Sequence, residues 1–296
     1  MMVDAFAKER AELGMVTAVS LAAAGGISLA LLMREGGMTA LPPEIGNFLA
    51  VDKMALFFDV VICLGGALSA LLAGGYLNEH GHDRGEFYVL IIFSAFGAMI
   101  LARSVDMLSL FLGLETMSLA VYCMVAFRRT SKRAVEGAMK YFLLGSFAAA
   151  ILLFGAALLY AATGHTDFVG IAASIDSGAA DTRLVLFGML MVIVGLAFKV
   201  SAVPFHMWTP DAYESAVTPA TTFMSVAVKS AAFAVFVRVM MVCFGSEATM
   251  NDTAGWPPLL AGIAVLSMIY GNIAALAQQN IKRMLAYSSI AHAGYI

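Results

Sequence analysis

Apolar runs of about 20 residues recur along the whole of this sequence, and that recurrence leaves few folds open. A helix rises ~1.5 Å per residue, so such a run spans the ~30 Å hydrocarbon core of a bilayer. Only 12% of the residues are charged, about half the share of an ordinary soluble domain. A membrane β-barrel would alternate in short segments instead, and none are present. The pattern predicts an all-α, polytopic helical membrane protein, with residues 1–296 as a single membrane domain.

The predicted spans are 13–33, 54–77, 87–102, 106–127, 134–161, 183–207, 218–244 and 257–277, and a ninth run starts near Met284. That run covers only about 20 Å before Ile296, so the chain is expected to be the front part of a longer protein. Gly66, Ala70 and Gly74 place small residues at four-residue spacing, a surface for close helix contact.

Lysine and arginine set the orientation. The loop at 128–133 carries Arg128, Arg129, Lys132 and Arg133, and the loop at 278–283 carries Lys282 and Arg283. The loops at 162–182 and 245–256 carry neither residue type. The positive-inside rule puts the first pair in the cytoplasm, together with Lys8 and Arg10 of the polar N-terminal segment. The segment after that N-terminus is too long for a signal-peptide core.

Other chemistries lack their residues. Cys63, Cys123 and Cys243 sit singly in apolar segments, without the spacing of a zinc or iron–sulfur site. No basic tract suits nucleic acid. No phosphate-binding glycine motif and no Ser/His/Asp set is evident. A haem needs two facing ligands, and only His206 and His292 are candidates, which argues against one.

What remains is a set of ionisable groups inside the spans, where each is costly and marks function by default. Glu115 lies mid-span and is too short to reach either interface. Lys140 sits about 9 Å into its helix and follows Glu136 by four residues, the favourable order for a helical pair. Lys199 is deeper. Pro204, five residues on, cannot donate to the carbonyl of Val200 and should kink or unwind the helix there. Irregular backbone at that depth is tolerated only in protein or beside a hydrated cavity.

His206 is seven residues past Lys199, on the same face if the helix were continuous. Beyond the break, Thr218 is predicted to cap a helix with Pro219 in its first turn. Lys229 is mid-span there, with Thr222 and Ser225 one or two turns earlier. His292, Asp59 and Arg238 also fall within spans. Desolvation lowers a lysine's pKa and a nearby carboxylate raises it, so shifting either can load and unload a proton. Glu115, Lys140, Lys199, His206 and Lys229 thus form a candidate relay. Composition alone equally allows a sodium path or a substrate transporter.

The stretch FKVSAVPFHMWTPDAYESAVTPATTFMSVAVKSAAF resembles the core of the subunit N family of proton-translocating NADH–quinone oxidoreductase, respiratory complex I. FLGLETMSLAVYCMVAF and the NIKRMLAYSSIAHAGYI end agree with it, in the right order. The resemblance covers nearly the whole chain. It implies a fourteen-helix subunit built from two inverted five-helix repeats, each with a discontinuous helix. It further implies Glu115 as a half-channel carboxylate and Lys199 as its partner on the broken helix. Lys229 matches the lysine of a central hydrophilic axis, with Glu136, Lys140 and His206 as neighbouring polar positions.

By the same resemblance this chain holds no redox cofactor, and NADH, flavin (FMN), iron–sulfur clusters and quinone belong to other subunits. The expected partners are neighbouring antiporter-like and small membrane subunits of the membrane arm, in a bacterial inner membrane. The family's first helix has no counterpart here, the second repeat is expected beyond Ile296, and SAVTPA replaces a Gly-Ala-Pro-Thr-Pro wording. The alternatives are a subunit of a multisubunit cation/proton antiporter and a passive membrane scaffold.

Overall fold

A computed structural model of the chain describes residues 11–34, 41–82, 84–250 and 255–296. Lys8 and Arg10 lie outside the described residues. The fold is a helical bundle, and among the described residues β pairing is limited to two isolated bridges, Leu49 with Ser104 and Asp106 with Asp167.

The helices are α1 (Ala11–Leu32), a single turn α2 (Pro43–Gly46), α3 (Lys53–Glu79), α4 (Glu86–Arg103), α5 (Met107–Val125) and α6 (Lys132–Thr163). There follow a short α7 (Phe168–Asp176), α8 (Thr182–Val200), a short α9 (Trp208–Ser215), α10 (Thr218–Cys243), α11 (Trp256–Leu276) and α12 (Ile281–Tyr295). Eight of these are long and apolar enough to cross a membrane. Their bounds follow the apolar runs because capping residues stand just outside them. Asp52, Asp106, Ser131 and Asp181 each accept a backbone N–H from the first turn of α3, α5, α6 and α8, groups that would otherwise be orphaned. Gly164 closes α6 with φ 75°, its N–H donating to the Tyr160 carbonyl, a left-handed cap that glycine takes without steric cost.

Packing pairs α1 with α3, α4 with α5, α6 with α8 and α11 with α12. The small-residue face of α3 does meet another helix: a Cβ on Gly66 would lie 2.9 Å from Leu21 Cδ1 of α1. The α4–α5 crossing is tighter still, since a Cβ on Gly97 would lie 2.4 Å from the Met117 backbone nitrogen. Two ion pairs tie the ends of the spans. Arg103 donates its Nε to Asp59 at 2.8 Å, and Arg238 grips Asp52 with two nitrogens at 2.6 and 2.9 Å.

Two local expectations need correction. The sixth span does not run to 207; α8 stops at Val200, and Ser201 takes φ 67°. Composition stays apolar through Phe205, so it cannot register a stop that proline and local hydrogen bonding impose. Thr218 does not cap. Val217 is the extended residue before α10, Thr218 is already helical, and no side chain bonds the helix start. Pro219 in the first turn still wastes no donor there. Thr222 and Ser225 turn their hydroxyls to the Thr218 and Thr222 carbonyls of their own helix, rather than to Lys229.

Candidate proton-transfer site

The break after α8 is a built structure. Its first freed amides are used at once: Ser201 and Ala202 donate back to the Phe198 and Ala197 carbonyls. The Trp208 indole donates to the Phe198 carbonyl at 3.0 Å, and the Val203 amide reaches Ser267 of α11 at 2.8 Å. Thr209 bonds Ser201 across the turn at 2.7 Å. Neighbouring helices and side chains therefore satisfy the irregular backbone, the condition for tolerating it at membrane depth.

Lys199, 2% exposed, extends from the last turn of α8 between α5 and α6. Its ammonium donates to the Ser118 hydroxyl at 2.6 Å and to the Tyr141 hydroxyl at 3.2 Å. The faces of Tyr122 and Tyr141 lie 5.8 and 5.4 Å from the nitrogen, close enough for cation–π attraction. Ser118 donates its own proton to the Leu114 carbonyl, which leaves its lone pairs for the ammonium. Beside Lys199 is a cavity of about 10 Å³, bordered by Tyr122, Gly145, Ala148 and Gly195, the size of about one water.

Glu115 stands one turn before Ser118 on α5. It lies within electrostatic reach of Lys199, but the two make no direct ion pair, and one buried carboxylate oxygen has no hydrogen-bond partner. The α5 side chain that Lys199 does reach is Ser118, one turn on from Glu115. Lys229, 8% exposed, leaves α10 just after a π-helical turn, Met224–Val228, a feature frequent at functional sites. It donates to both the carbonyl (3.0 Å) and the hydroxyl of Ser289 on α12.

The remaining sequence candidates separate. Lys140 is 46% exposed and pairs with Glu136 at 2.7 Å and with Asp211 of α9 at 2.9 Å. His206 sits in the break with its ring 4.7 Å from Tyr270 of α11, so the break sends it away from the Lys199 face. His292 bonds the Ser288 carbonyl of its own helix at 2.7 Å and is exposed.

One cluster had no sequence signal beyond its charges. The short helix α9 is held by cations from the loop before α6, from α6 itself and from the first turn of α12. Arg283 pairs with Asp211 at 2.6 Å and with Glu214 at 3.1 Å, and Arg133 pairs with Glu214 at 3.1 Å. Arg128 and Lys282 donate to the Ser215 and Ala216 carbonyls at its C-terminal end. Cations belong there by the helix dipole as well. Burial of Asp211 opposes its ionisation, and the hydrogen bonds from Lys140 and Arg283 outweigh it, holding the carboxyl below the usual range. On its inner face α9 places Trp208 flat against Tyr141, ring centroids 4.0 Å apart. The loops at 128–133 and 278–283 thus lie on one side of the bundle.

Comparison with known proteins agrees with this arrangement. The family described as NADH:quinone oxidoreductase/Mrp antiporter, TM, matches residues 104–296. The NADH-quinone oxidoreductase subunit N 1 of Sorangium cellulosum is 61% identical over 257 residues, covering 86% of this chain and 51% of the relative. A chain of respiratory complex I from Thermus thermophilus, solved with bound aureothin, superposes with a TM-score of 0.79 at 34% identity, over 99% of this chain and 60% of that one. A chain of the Mrp complex from Dietzia sp. superposes with a TM-score of 0.78 at 23% identity, covering 95% of this chain and 30% of that one, a likeness of fold. The chain spans about half the length of the curated relatives it matches. With its discontinuous α8–α9 helix, its buried lysines and its match over residues 104–296, this chain belongs to the NADH:quinone oxidoreductase/Mrp antiporter family of membrane proteins.

Proposed function

We propose that the chain forms part of a subunit N of NADH–quinone oxidoreductase and carries protons across a bacterial inner membrane. Electron transfer from NADH to quinone in other subunits, which hold FMN and the iron–sulfur clusters, supplies the driving force. Neighbouring antiporter-like and small membrane subunits complete the membrane arm. The observation that carries this reading is the Lys199 ammonium, buried and held by Ser118 one turn from Glu115.

An ammonium with oxygen acceptors and a carboxylate nearby keeps its proton, and it releases the proton when that support moves away. Ser118 couples the two groups, because a shift of α5 that moves Glu115 also moves the acceptor of Lys199. The proton leaving Lys199 passes toward Lys229, whose Ser289 contacts hold it on α12. His206 and His292 serve as flanking polar groups, and the surface pair of Glu136 and Lys140 holds α9, the far side of the break, in place.

Glu115→Gln and Lys199→Ala, made in the full-length subunit of the assembled complex, should each lower NADH-driven proton pumping while assembly persists. Normal pumping in both would overturn the reading. Sodium-dependent transport without any dependence on NADH would point instead to an antiporter subunit.

A further inference from the structure

α6 carries Tyr141, an acceptor of Lys199, and α12 carries Ser289, whose carbonyl accepts from Lys229 at 3.0 Å. α6 packs chiefly on α8 and α12 on α11, and α9 packs against both. On its inner side α9 stacks Trp208 on Tyr141. Its crossing of α6 is close: a Cβ on Gly137 would lie 2.1 Å from Ser215 Oγ and 3.0 Å from the Asp211 carbonyl oxygen. This short helix is thus the spacer between the two helices that hold the lysines' acceptors.

Asp211 divides its carboxylate between those helices. One oxygen accepts from Lys140 of α6 at 2.9 Å and the other from Arg283 of α12 at 2.6 Å. Lys140 is the chain neighbour of Tyr141, and Arg283 precedes Ser289 by six residues, about 9 Å along the helix. Glu214 repeats the bridge one turn on, between Arg283 and the more exposed Arg133 of α6, both at 3.1 Å. Ion pairs with part-exposed cations add little to stability. Stability therefore does not account for two carboxylates that each take cations from the same pair of helices. What they fix is geometry, because each oxygen sets the reach of one cation.

We propose that Asp211 is a positioning residue: its carboxylate, backed by Glu214, braces α6 against α12 through α9 and keeps Tyr141 and Ser289 in one register. This rests on the proton-transfer reading above. Asp211 carries no proton in this role. It stays ionised between its two cations, and Lys140 acts as a strut that keeps its proton. Without the brace, Tyr141 and Ser289 each move with their own helix, and the two lysine sites lose their common geometry.

The test uses the full-length subunit in the assembled complex. It reads protons pumped per NADH oxidised, beside the amount of complex assembled, with Lys199→Ala as the reference. Asp211→Asn should lose pumping toward the Lys199→Ala level, and Lys140→Met should lose as much without touching the carboxylate. Lys140→Arg separates a strut from a proton carrier, because arginine can hold Asp211 but cannot release its proton. Normal pumping in Lys140→Arg supports the brace, and a loss equal to that of Lys140→Met overturns it. Less assembled complex in Asp211→Asn, with normal pumping by what does assemble, would mean a merely structural role and overturn the proposal. Normal pumping in Asp211→Asn beside a deficient Lys199→Ala overturns the brace and leaves the proton path standing. Normal pumping in Lys199→Ala overturns the path itself, and the brace with it. Should Asp211→Asn not assemble, Arg283→Gln decides, since it frees the α12 end of both bridges: normal pumping there overturns the brace, and loss supports it.

Discussion

The Lys199 ammonium donates to the Ser118 hydroxyl at 2.6 Å, and Ser118 stands one helical turn from Glu115. The only other oxygen within reach of that ammonium among the described residues is the Tyr141 hydroxyl, at 3.2 Å. Ser118→Ala removes the nearer acceptor and leaves both charges in place. Stability should fall by about 1–3 kcal/mol, the cost of leaving a buried polar group short of a partner. Thermal unfolding in detergent measures this, and pumping by the assembled complex should fall with it. A variant as stable as the parent would mean the contact contributes nothing.

Arg238 is 6% exposed and depends on Asp52, which is 43% exposed. Asp52→Asn keeps the shape and strands the arginine. The loss should sit toward the lower end of the ~3–5 kcal/mol typical of breaking a buried pair, because Asp52 is part solvated. The hydrogen bond from Arg238 holds the Asp52 carboxyl below its usual range. Its contribution is therefore complete above the unfolded-state value near ~3.9, and it fades as the pH falls through the lower folded-state value. Unfolding midpoints at a series of acidic pH values should drop more steeply for the parent than for Asp52→Asn.

Lys282 acts in a different, alkaline window. Burial, with repulsion from Arg128, brings its ammonium down to about 8, against ~10.4 in an unfolded chain. Between those values the unfolded chain holds a proton that the folded chain has released, so stability should rise with pH across that window. Lys282→Gln should flatten the rise. Denaturation at pH 8, 9 and 10 compares the slopes, and equal slopes would refute the assignment.

Gly97 is where α4 crosses α5. A methyl group there would meet the Met117 backbone at 2.4 Å, and backbone cannot turn aside as a side chain can. Gly97→Ala should cost at least the ~1–3 kcal/mol of ordinary overpacking. It should also disturb pumping, because Met117 lies between Glu115 and Ser118. Parent-like melting and pumping would show that the crossing relaxes freely.

Much of this molecule was legible before its structure. Hydropathy located the eight spans because the bilayer demands length and apolarity from each one. Lys199 and Lys229 announced themselves as ionisable groups at membrane depth, and Pro204 announced the break. The partners did not. Ser118 and Tyr141 are 81 and 58 residues away from Lys199 in the chain, and serine and tyrosine are unremarkable in any membrane helix. Lys140 looked intramembrane because its span is apolar, yet α6 is 32 residues long, and Lys140, on its third turn, is 46% exposed and engaged by Glu136 and Asp211. Asp211 and Glu214 read as an acidic turn, and only the folded chain brings Arg283 and Arg133 to them.

α10 carries π-helical turns at Met224–Val228 and Val239–Cys243, with regular helix from Lys229 to Arg238 between them. At ~100° per residue, the nine steps separating those two side chains point them to opposite sides of the helix. One is keyed to Ser289 and the other to Asp52. A shaft keyed on both sides cannot roll about its axis without shearing a key. Whatever movement loads and unloads Lys229 must therefore come as slack in the wider turns at the two ends of that segment, or as motion of the α12 surface that it grips.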